Sequence, residues 1–468
     1  MAEVDLTQPM AVHIVGVGGA GMSAIASVLA TMGHRVSGSD LRDSPGLDRL
    51  RASGVRVDIG HRASNVDGAE ILAVSTAIPS TNPEVLAAAE AGTPVLRRAE
   101  ILTAIAATRV AIAVAGTHGK TTTSSMLALM LVEAGLRPSF IIGGELNEIG
   151  SGAVWDSGEL FVVEADESDG TFLSLGAGHV IVTNIEPDHL EYYGGWEPLR
   201  AAFESFVRQA SGVRVLCADD ICCLELAMQL RAEGEQVVTY GTADGADYRI
   251  VDLVAGRDGV SFALIGPVAR VDDLRLPLAG LHNARNAAAA LAMAAEMGVH
   301  PDVARRAVNR FAGVARRFEH RGEAGGVTFV DDYAHLPTEI AAAVAAARDG
   351  DWKRIVCVFQ PHRFSRTESL WHTFGDAFVG VDVIAVTDVY ASGERPRPGV
   401  TGKLIVNVVL DHHPWATVAY VPHRDDAVRY LDDVLRPGDL CLTLGAGDLT
   451  SLPDELLRRR NASADDRG

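Results

Sequence analysis

The chain has 468 residues, 48% of them hydrophobic and 22% charged, with a formal net charge of −20. That is the composition of a globular protein rather than a disordered one, and the length calls for about three domains. So acidic a chain excludes a surface built for nucleic acid, which needs clustered cations, and no apolar window reaches the roughly 18 residues of a membrane-crossing helix.

The N-terminal MAEVDLTQPM has neither the basic nor the apolar stretch of a secretory leader. The five cysteines form no CxxC pair and sit in apolar or helical-looking stretches, so they read as reduced structural residues, not a disulfide framework or zinc site. The expectation is a cytoplasmic protein. Lysine occurs only at Lys120, Lys353 and Lys403, every other cation being arginine or histidine. Such usage follows from arginine-rich codons, yet it makes a lysine inside a glycine loop more informative.

In chain order, the first predicted strand is Val12–Val17, breaking into glycines and then a helix pattern. Gly16, Gly18 and Gly21 form G-x-G-x-x-G, and Asp40 follows at the spacing of a ribose-binding acid. Glycines let the backbone approach a pyrophosphate while the helix N-terminus stabilises its charge. Both NAD and a UDP-sugar carry a pyrophosphate, so this motif alone leaves the two open, beside a ligand-free tight turn. RRAEILTAIAATR then reads as a helix leading into a second strand, Val110–Val114.

Gly116-Thr117-His118-Gly119-Lys120-Thr121-Thr122 follows that strand and opens a helix. Its amides can cradle phosphates, Lys120 offers a point charge to the outer ones, and Thr121 can ligate Mg²⁺. A strict Walker pattern misses it because position 114 is valine. The chain is therefore expected to bind a nucleoside triphosphate. Downstream, the apolar strand Phe161–Val163 ends in Glu164, Asp166, Glu167 and Asp169, a cluster that repels itself unless cations neutralise it. A second strand, Val180–Val182, runs into Asn184, Glu186, Asp188 and His189, and His189 is read against the alternative of a surface-loop histidine. Mg²⁺ prefers oxygen ligands and needs few from protein. Further apolar runs begin near Val327 and cover Ile355–Phe359, Val383–Val386 and Leu440–Leu444. Strands alternating with helices in this way predict an α/β protein with mostly parallel sheets. Boundaries near Thr108 and Ala315 divide it into residues 1–108, 109–315 and 316–468.

In this order, GTHGKTT, EADESD, TNIEPDH, LAGLHNARNAAAA and DDYAHLPTE resemble the Mur ligase family. GVGGAGMSAIA and QPHRFSR narrow the similarity to the branch that adds L-alanine to UDP-N-acetylmuramate in peptidoglycan synthesis. The resemblance covers nearly the whole chain. It implies a Rossmann-like UDP-sugar domain, a central P-loop ATPase and a C-terminal Rossmann-like amino-acid domain, with ATP and Mg²⁺ as cofactors. It implies Gly16, Gly18, Gly19, Gly21, Asp40 and Ser75 at the UDP-sugar. Gly116 to Thr122 would hold the ATP phosphates, and Thr121, Glu164 and His189 the Mg²⁺. His282, Asn283 and Asn286 match the segment in which an asparagine reads adenine. Arg317 and Asp331 or Asp332 would reach ATP from the C-terminal side. Tyr333, His335, Arg363 and Arg366 would line the alanine site, and Lys120, His335, Arg363 and Arg366 would serve catalysis. The motifs fall in different domains, so closure between domains is expected, in a monomer or weak homodimer. The sequence departs from the family pattern at Leu336, where a second histidine is usual. It also has no lysine between Lys120 and Lys353 to be carbamylated as in several relatives.

If Arg363 and Arg366 both lie on one helix, their spacing of three turns both guanidiniums to one side. Paired arginines suit bidentate capture of a carboxylate, against the alternative of an exposed basic turn.

Overall fold

A computed structural model describes residues 4–465 apart from Thr76, Asn147 and Asp169, so the last carboxylate of the EADESD motif lies outside the described residues. The first sheet contains β1 (Ala11–Val15), β2 (Arg35–Asp40), β3 (Arg56–Ile59), β4 (Ile71–Val74) and β5 (Val95–Arg97). Its order is β3-β2-β1-β4-β5 and every pairing is parallel. Helices α1 (Ala20–Thr31), α2 (Pro45–Ala52) and α3 (Pro83–Ala91) lie between these strands, and α4 (Arg98–Ala106) follows β5. The order reverses between β1 and β4, the crevice where doubly wound sheets bind ligands.

The second sheet has ten strands, from β6 (Val110–Ala115), β7 (Ser139–Leu146), β8 (Ser151–Val154), β9 (Leu160–Glu164) and β10 (His179–Val182) to β11 (Arg214–Cys217), β12 (Val237–Gly241), β13 (Tyr248–Gly256), β14 (Gly259–Ile265) and β15 (Arg270–Leu276). The order is β15-β14-β13-β12-β11-β10-β6-β9-β7-β8. β6 lies between β9 and β10, parallel to both. Its VAIAVA run is buried from Ala111 onward, as expected of a strand covered on both faces. The helices are α5 (Lys120–Glu133), α6 (Leu190–Tyr193), α7 (Trp196–Gln209), α8 (Ile221–Ala232), α9 (Leu281–Glu296) and α10 (Pro301–Arg310).

The third sheet is built from β16 (Glu319–Ala324), β17 (Val327–Asp332), β18 (Arg354–Phe359), β19 (Val383–Val386), β20 (Val418–Tyr420) and β21 (Asp439–Leu444), in the order β16-β17-β21-β18-β19-β20. Only the edge pair β16–β17 is antiparallel. Among its helices are α11 (Pro337–Arg348) and α12 (Phe364–Leu370). One apolar cluster includes Ile340, Val344, Phe359 and Leu442, another Phe329, Val358, Leu431 and Leu456. By compactness the chain forms two units, Met1–Val251 with Leu264–Asp272 and Arg285–Phe311, and Asp252–Ala263 with Asp273–Ala284 and Ala312–Gly468. The α/β class and three sheets agree with the fold expected from the sequence. No helix among the described residues is long and apolar enough to cross a membrane.

Asn82 caps α3, its side chain accepting from Glu84 N at 2.9 Å, with Pro83 at the first position and Gly92 (φ 71°) closing the end. That turn buries Glu84 completely. Its carboxylate accepts from Ser39 Oγ at 2.6 Å, Asn65 Nδ2 at 2.5 Å and Arg62 N at 3.2 Å, linking β2, α3 and the segment after β3. Burial pushes Glu84 upward, but these donors together with His13 win and hold it at about 2. A depressed carboxylate contributes stability that is present above its unfolded value and is lost as pH falls through the folded one. Glu84→Gln should therefore lose roughly 3 kcal/mol at pH 7, by the 1.36 kcal/mol that each unit represents. Denaturant titrations between pH 2 and pH 7 check this: the wild-type advantage should vanish toward pH 2.

Candidate active site

The phosphate loop follows β6 and is held by the segment after β10. Gly116 has φ 129°, and a Cβ there would lie 2.1 Å from Thr183 Oγ1, so no other residue fits. Gly119 has φ 82°, with Asn286 Oδ1 only 2.4 Å from where a Cβ would stand. His118 N donates to Asn184 Oδ1 at 2.9 Å, Glu186 N donates to Thr117 Oγ1 at 2.9 Å, and His118 Nε2 lies 3.1 Å from Glu186 Oε2. The TNIEPDH segment thus fixes the loop from beneath.

Lys120 opens α5, its Nζ donating to Gly116 O at 2.6 Å and to both Glu167 oxygens at 2.8 and 3.0 Å. Burial alone would push this ammonium down, but the charges of Glu167, Asp166 and Glu164 hold it above the ordinary lysine value. Burial drives the partner Glu167 up to about 7 despite Lys120. Two short contacts to one Nζ fit the ammonium–carboxylate form, so Lys120 stays charged. Thr121 and Thr122 are buried in the same first turn.

Glu164 ends β9, one oxygen accepting from Gly143 N at 2.7 Å and from Ser124 Oγ at 3.5 Å. His189 stands in left-handed backbone (φ 53°) before α6, its Nε2 3.2 Å from Asp188 Oδ2. Among the described residues no group of three or more His, Cys, Asp or Glu side chains is arranged around one metal position. The carboxylate of Glu164 and the hydroxyl of Thr121, each beside the phosphate loop's helix, are nevertheless the hard oxygen donors Mg²⁺ prefers, in the small number it needs.

At the first glycine loop, Gly16 N and Val17 N donate to Ser39 O at 2.8 and 3.1 Å, and Gly18 N donates to Asp40 Oδ2 at 2.9 Å. A Cβ on Gly16 (φ 77°) would touch Ile78 and Ser75. Gly16, Gly18, Gly19, Gly21, Asp40 and Ser75 therefore surround one turn. Asp40 spends an oxygen on closing that loop, a use the ribose spacing did not suggest.

In the second unit, Arg316 and Arg317 lie over the Tyr333 ring, 4.7 and 5.2 Å from its centroid. Asp331 accepts from Thr443 Oγ1 at 2.7 Å and Thr450 Oγ1 at 2.6 Å, so both oxygens are engaged internally. Asp332 accepts from Phe318 N and Ala334 N, each at 2.7 Å, and burial pushes it up to about 6 against the pull of Arg317. His335 Nδ1 lies 3.0 Å from Tyr333 O and 3.2 Å from Glu339 Oε2. Two acceptors at Nδ1 put the proton there and leave Nε2 as the basic nitrogen. Glu339 also accepts from the amides of His335 and Leu336, fixing both at the start of α11. Leu336 is itself buried.

Arg363 and Arg366 do not share a helix face. Arg363 has φ 67° and precedes α12, which starts at Phe364. Its amide donates to Tyr390 O at 2.8 Å, an anchor that holds it off helical geometry, and its buried Nε has no hydrogen-bond partner among the described residues. Arg366 is buried with Nη1 3.1 Å from His362 Nδ1. The His362 ring stacks on Tyr390 and meets His335 edge-on, at 5.7 Å in both cases. Burial, then His335, Arg366 and Arg363, lower His362 to about 3, so it is a neutral acceptor for Arg366.

At the start of α9, Asn283 Nδ2 donates to Ala279 O at 2.8 Å, while a Cβ on Gly280 would strike the His282 ring and the Ala346 side chain. Both belong to the second unit, whereas Asn286 sits against Gly119 in the first. Glu167 and Asn184 belong to the strand-end motifs that the sequence singles out, but Glu339, His362 and Tyr390, which also neighbour the candidate residues, are not among its candidates. Only Glu339, three residues after Leu336 and ahead of an apolar helix, had a recognisable signal, that of a capping glutamate.

Three family models match in succession: Mur ligase family, catalytic domain, over residues 11–110; Mur ligase middle domain over 114–294; and Mur ligase, glutamate ligase domain, over 316–447. A UDP-N-acetylmuramate–L-alanine ligase of Kineococcus radiotolerans is 47% identical over 452 residues, covering 95% of each chain. One of Rubrobacter xylanophilus is 46% identical over 454 residues, 96% of this chain and all of the relative. The crystal structure of the UDP-N-acetylmuramate–alanine ligase of Thermotoga maritima superimposes with a TM-score of 0.78 at 28% identity, covering 97% of this chain and 100% of that one. With three models in register along its length, the chain belongs to the Mur ligase family.

Proposed function

We propose that this protein joins L-alanine to the carboxylate of UDP-N-acetylmuramate at the expense of ATP, giving UDP-N-acetylmuramoyl-L-alanine, ADP and phosphate. The observation that carries this reading is similarity along the whole chain, at 43–47% identity, to relatives bearing that activity in their names. We assign the UDP-sugar to residues 1–108, ATP to 109–315 and the amino acid to 316–468.

In the first step a carboxylate oxygen attacks the γ-phosphorus, the bond to the β-phosphate oxygen breaks, and ADP leaves. Lys120 holds charge that grows on the bridging and γ-oxygens, while the loop amides from Gly116 to Thr122 keep the phosphates in line. Thr121, Glu164 and His189 would hold Mg²⁺, which when bound neutralises phosphate oxygens. In the second step the neutral amine of alanine attacks the acyl carbon and inorganic phosphate departs with the former γ-phosphorus. His335 takes the amine proton on Nε2, its Nδ1–H fixed by Glu339 and the Tyr333 carbonyl. Arg363 and Arg366 bind the alanine carboxylate, with Tyr333 beside them. Arg317 with Asp331 or Asp332 would serve the nucleotide, and His282, Asn283 and Asn286 its adenine. Most of the acceleration lies in positioning and charge stabilisation.

Phosphate release from ATP should require both UDP-N-acetylmuramate and L-alanine, with the new amide seen by mass spectrometry. Turnover with a preformed tripeptide but not with L-alanine would overturn the assignment in favour of a peptide-recycling ligase. Glycine should be used roughly 10–200-fold less well in kcat/KM, because one methyl group in a pocket is worth only about 1–3 kcal/mol. Competition between the two amino acids measures that ratio.

A further inference from the structure

Acidic residues outnumber lysine and arginine by 61 to 41, and many arginines among the described residues are paired with them, Arg200, Arg208 and Arg285 for example. Arg98 is an exception. It is half-buried at the start of α4, yet among the described residues it makes no hydrogen bond and no ion pair. The nearest acid on its own helix, Glu100, is turned away: its Oε2 accepts from Arg97 N at 2.7 Å and closes the first turn. That cap fixes the backbone from which the Arg98 side chain leaves.

The guanidinium lies on the glycine loop. A Cβ on Gly21 would stand 2.7 Å from Arg98 Nε and 3.3 Å from its Cζ. Gly21 is the second residue of α1 and has no positive φ, so its backbone would accept alanine. A side chain there would meet the arginine rather than a backbone restriction, and the guanidinium would have to shift. Arg98 also reaches toward the second sheet. Burial pushes Asp166 up, but Lys120, the Ser168 amide and hydroxyl, and Arg98 together hold it below the usual carboxylate range. One cation thus lies against the turn that approaches a pyrophosphate and acts on a carboxylate just past the end of β9.

Half-buried, this guanidinium loses hydration and has only the through-space charge of Asp166 in return, with no hydrogen bond among the described residues, an arrangement that favours an anionic ligand. We propose that Arg98 is a substrate-binding residue of the UDP-sugar site, its planar N–H groups taking diphosphate oxygens beside the first turn of α1. The assignment rests on the UDP-sugar reading given above. The substrate carries two anionic groups, the diphosphate and the carboxylate. The position of Arg98 on the glycine loop selects the diphosphate, since a helix N-terminus and flanking glycines suit that group.

Calorimetry on the full-length protein separates the possibilities, with UDP and UDP-N-acetylmuramate as the two probes. Arg98→Ala should weaken both by roughly 10–100-fold, the effect of removing charge-assisted hydrogen bonds, and Arg98→Lys should recover part of the loss. Gly21→Ala should weaken both by displacing the guanidinium. The Arg98→Ala/Gly21→Ala double variant should bind no worse than Arg98→Ala alone, a coupling that general damage to the fold would not produce. The KM for ATP should stay within about twofold of wild type. Undiminished UDP affinity in Arg98→Ala overturns the proposal. So does a loss confined to UDP-N-acetylmuramate, which moves the contact to the carboxylate, or an equal loss for ATP. If wild-type protein binds neither probe, the UDP-sugar reading itself fails, a result distinct from a defect appearing only in the variants.

Discussion

Lys120→Ala should lose at least ~10²-fold in kcat, the scale of removing one preorganised electrostatic stabiliser from a reaction centre. The lysine carries the ammonium of the phosphate loop, and Lys353 and Lys403 lie far along the chain in the last predicted domain. The substitution also strips Glu167 of the cation that faces both of its oxygens. That carboxylate is already driven up to about 7 by burial, and without Lys120 it rises further and becomes protonated at neutral pH. The site then carries a neutral acid where a phosphate needs a positive partner. Phosphate release and trapping of the acyl phosphate by hydroxylamine should fall together. Near-normal release in Lys120→Ala would refute the assignment of the phosphate loop.

Arg363→Ala should raise the KM for L-alanine by about 10-fold or more, as expected for losing charge-assisted hydrogen bonds to a carboxylate, with the KM for ATP nearly unchanged. The strained backbone of Arg363 aims a side chain whose buried Nε has no internal partner among the described residues. His335→Ala should act differently, lowering kcat by roughly 10²–10⁴-fold, the range of a general base, while alanine binding changes little. Initial-rate kinetics with each substrate varied in turn distinguish the two. If Arg363→Ala weakened ATP and spared alanine, the arginine would belong to the nucleotide.

The sequence made the strand-loop-helix framework legible because backbone conformation left few choices of residue. Gly116 and Gly119 are required where φ is positive and a Cβ would strike Thr183 or Asn286, so the loop announced itself. Apolar runs such as Phe161–Val163 and Ile355–Phe359 marked buried parallel strands for an equally simple reason. What stayed hidden was direction. EADESD offers four carboxylates, and nothing in their order shows that Glu167 meets Lys120 while Glu164 accepts from Gly143. Whether Arg363 joins the helix of Arg366 stays open in sequence because an arginine at φ 67° has no signature; glycine is the residue that advertises such backbone. His362 drew no attention because its part depends on Tyr390, twenty-eight positions away in sequence and stacked against it in the fold. Arg98 lies in RRAEILTAIAATR, which in sequence shows only a helix leading into a strand. Its contact with Gly21 joins segments 77 positions apart, which no local pattern encodes.

The five cysteines have a practical consequence. All are buried and none is paired. Burial pushes Cys217 up to about 11 and Cys441 up to about 12, and raises Cys222, Cys223 and Cys357 as well. Thiolate, not thiol, attacks a maleimide, so the folded protein should offer almost no background to labelling at neutral pH. Val268 and Trp415, 97% and 81% exposed and in different compact units, are then natural positions for one introduced cysteine each. A dye pair on those two sites would test by fluorescence whether substrates change the distance between them, with no native residue having to be removed first.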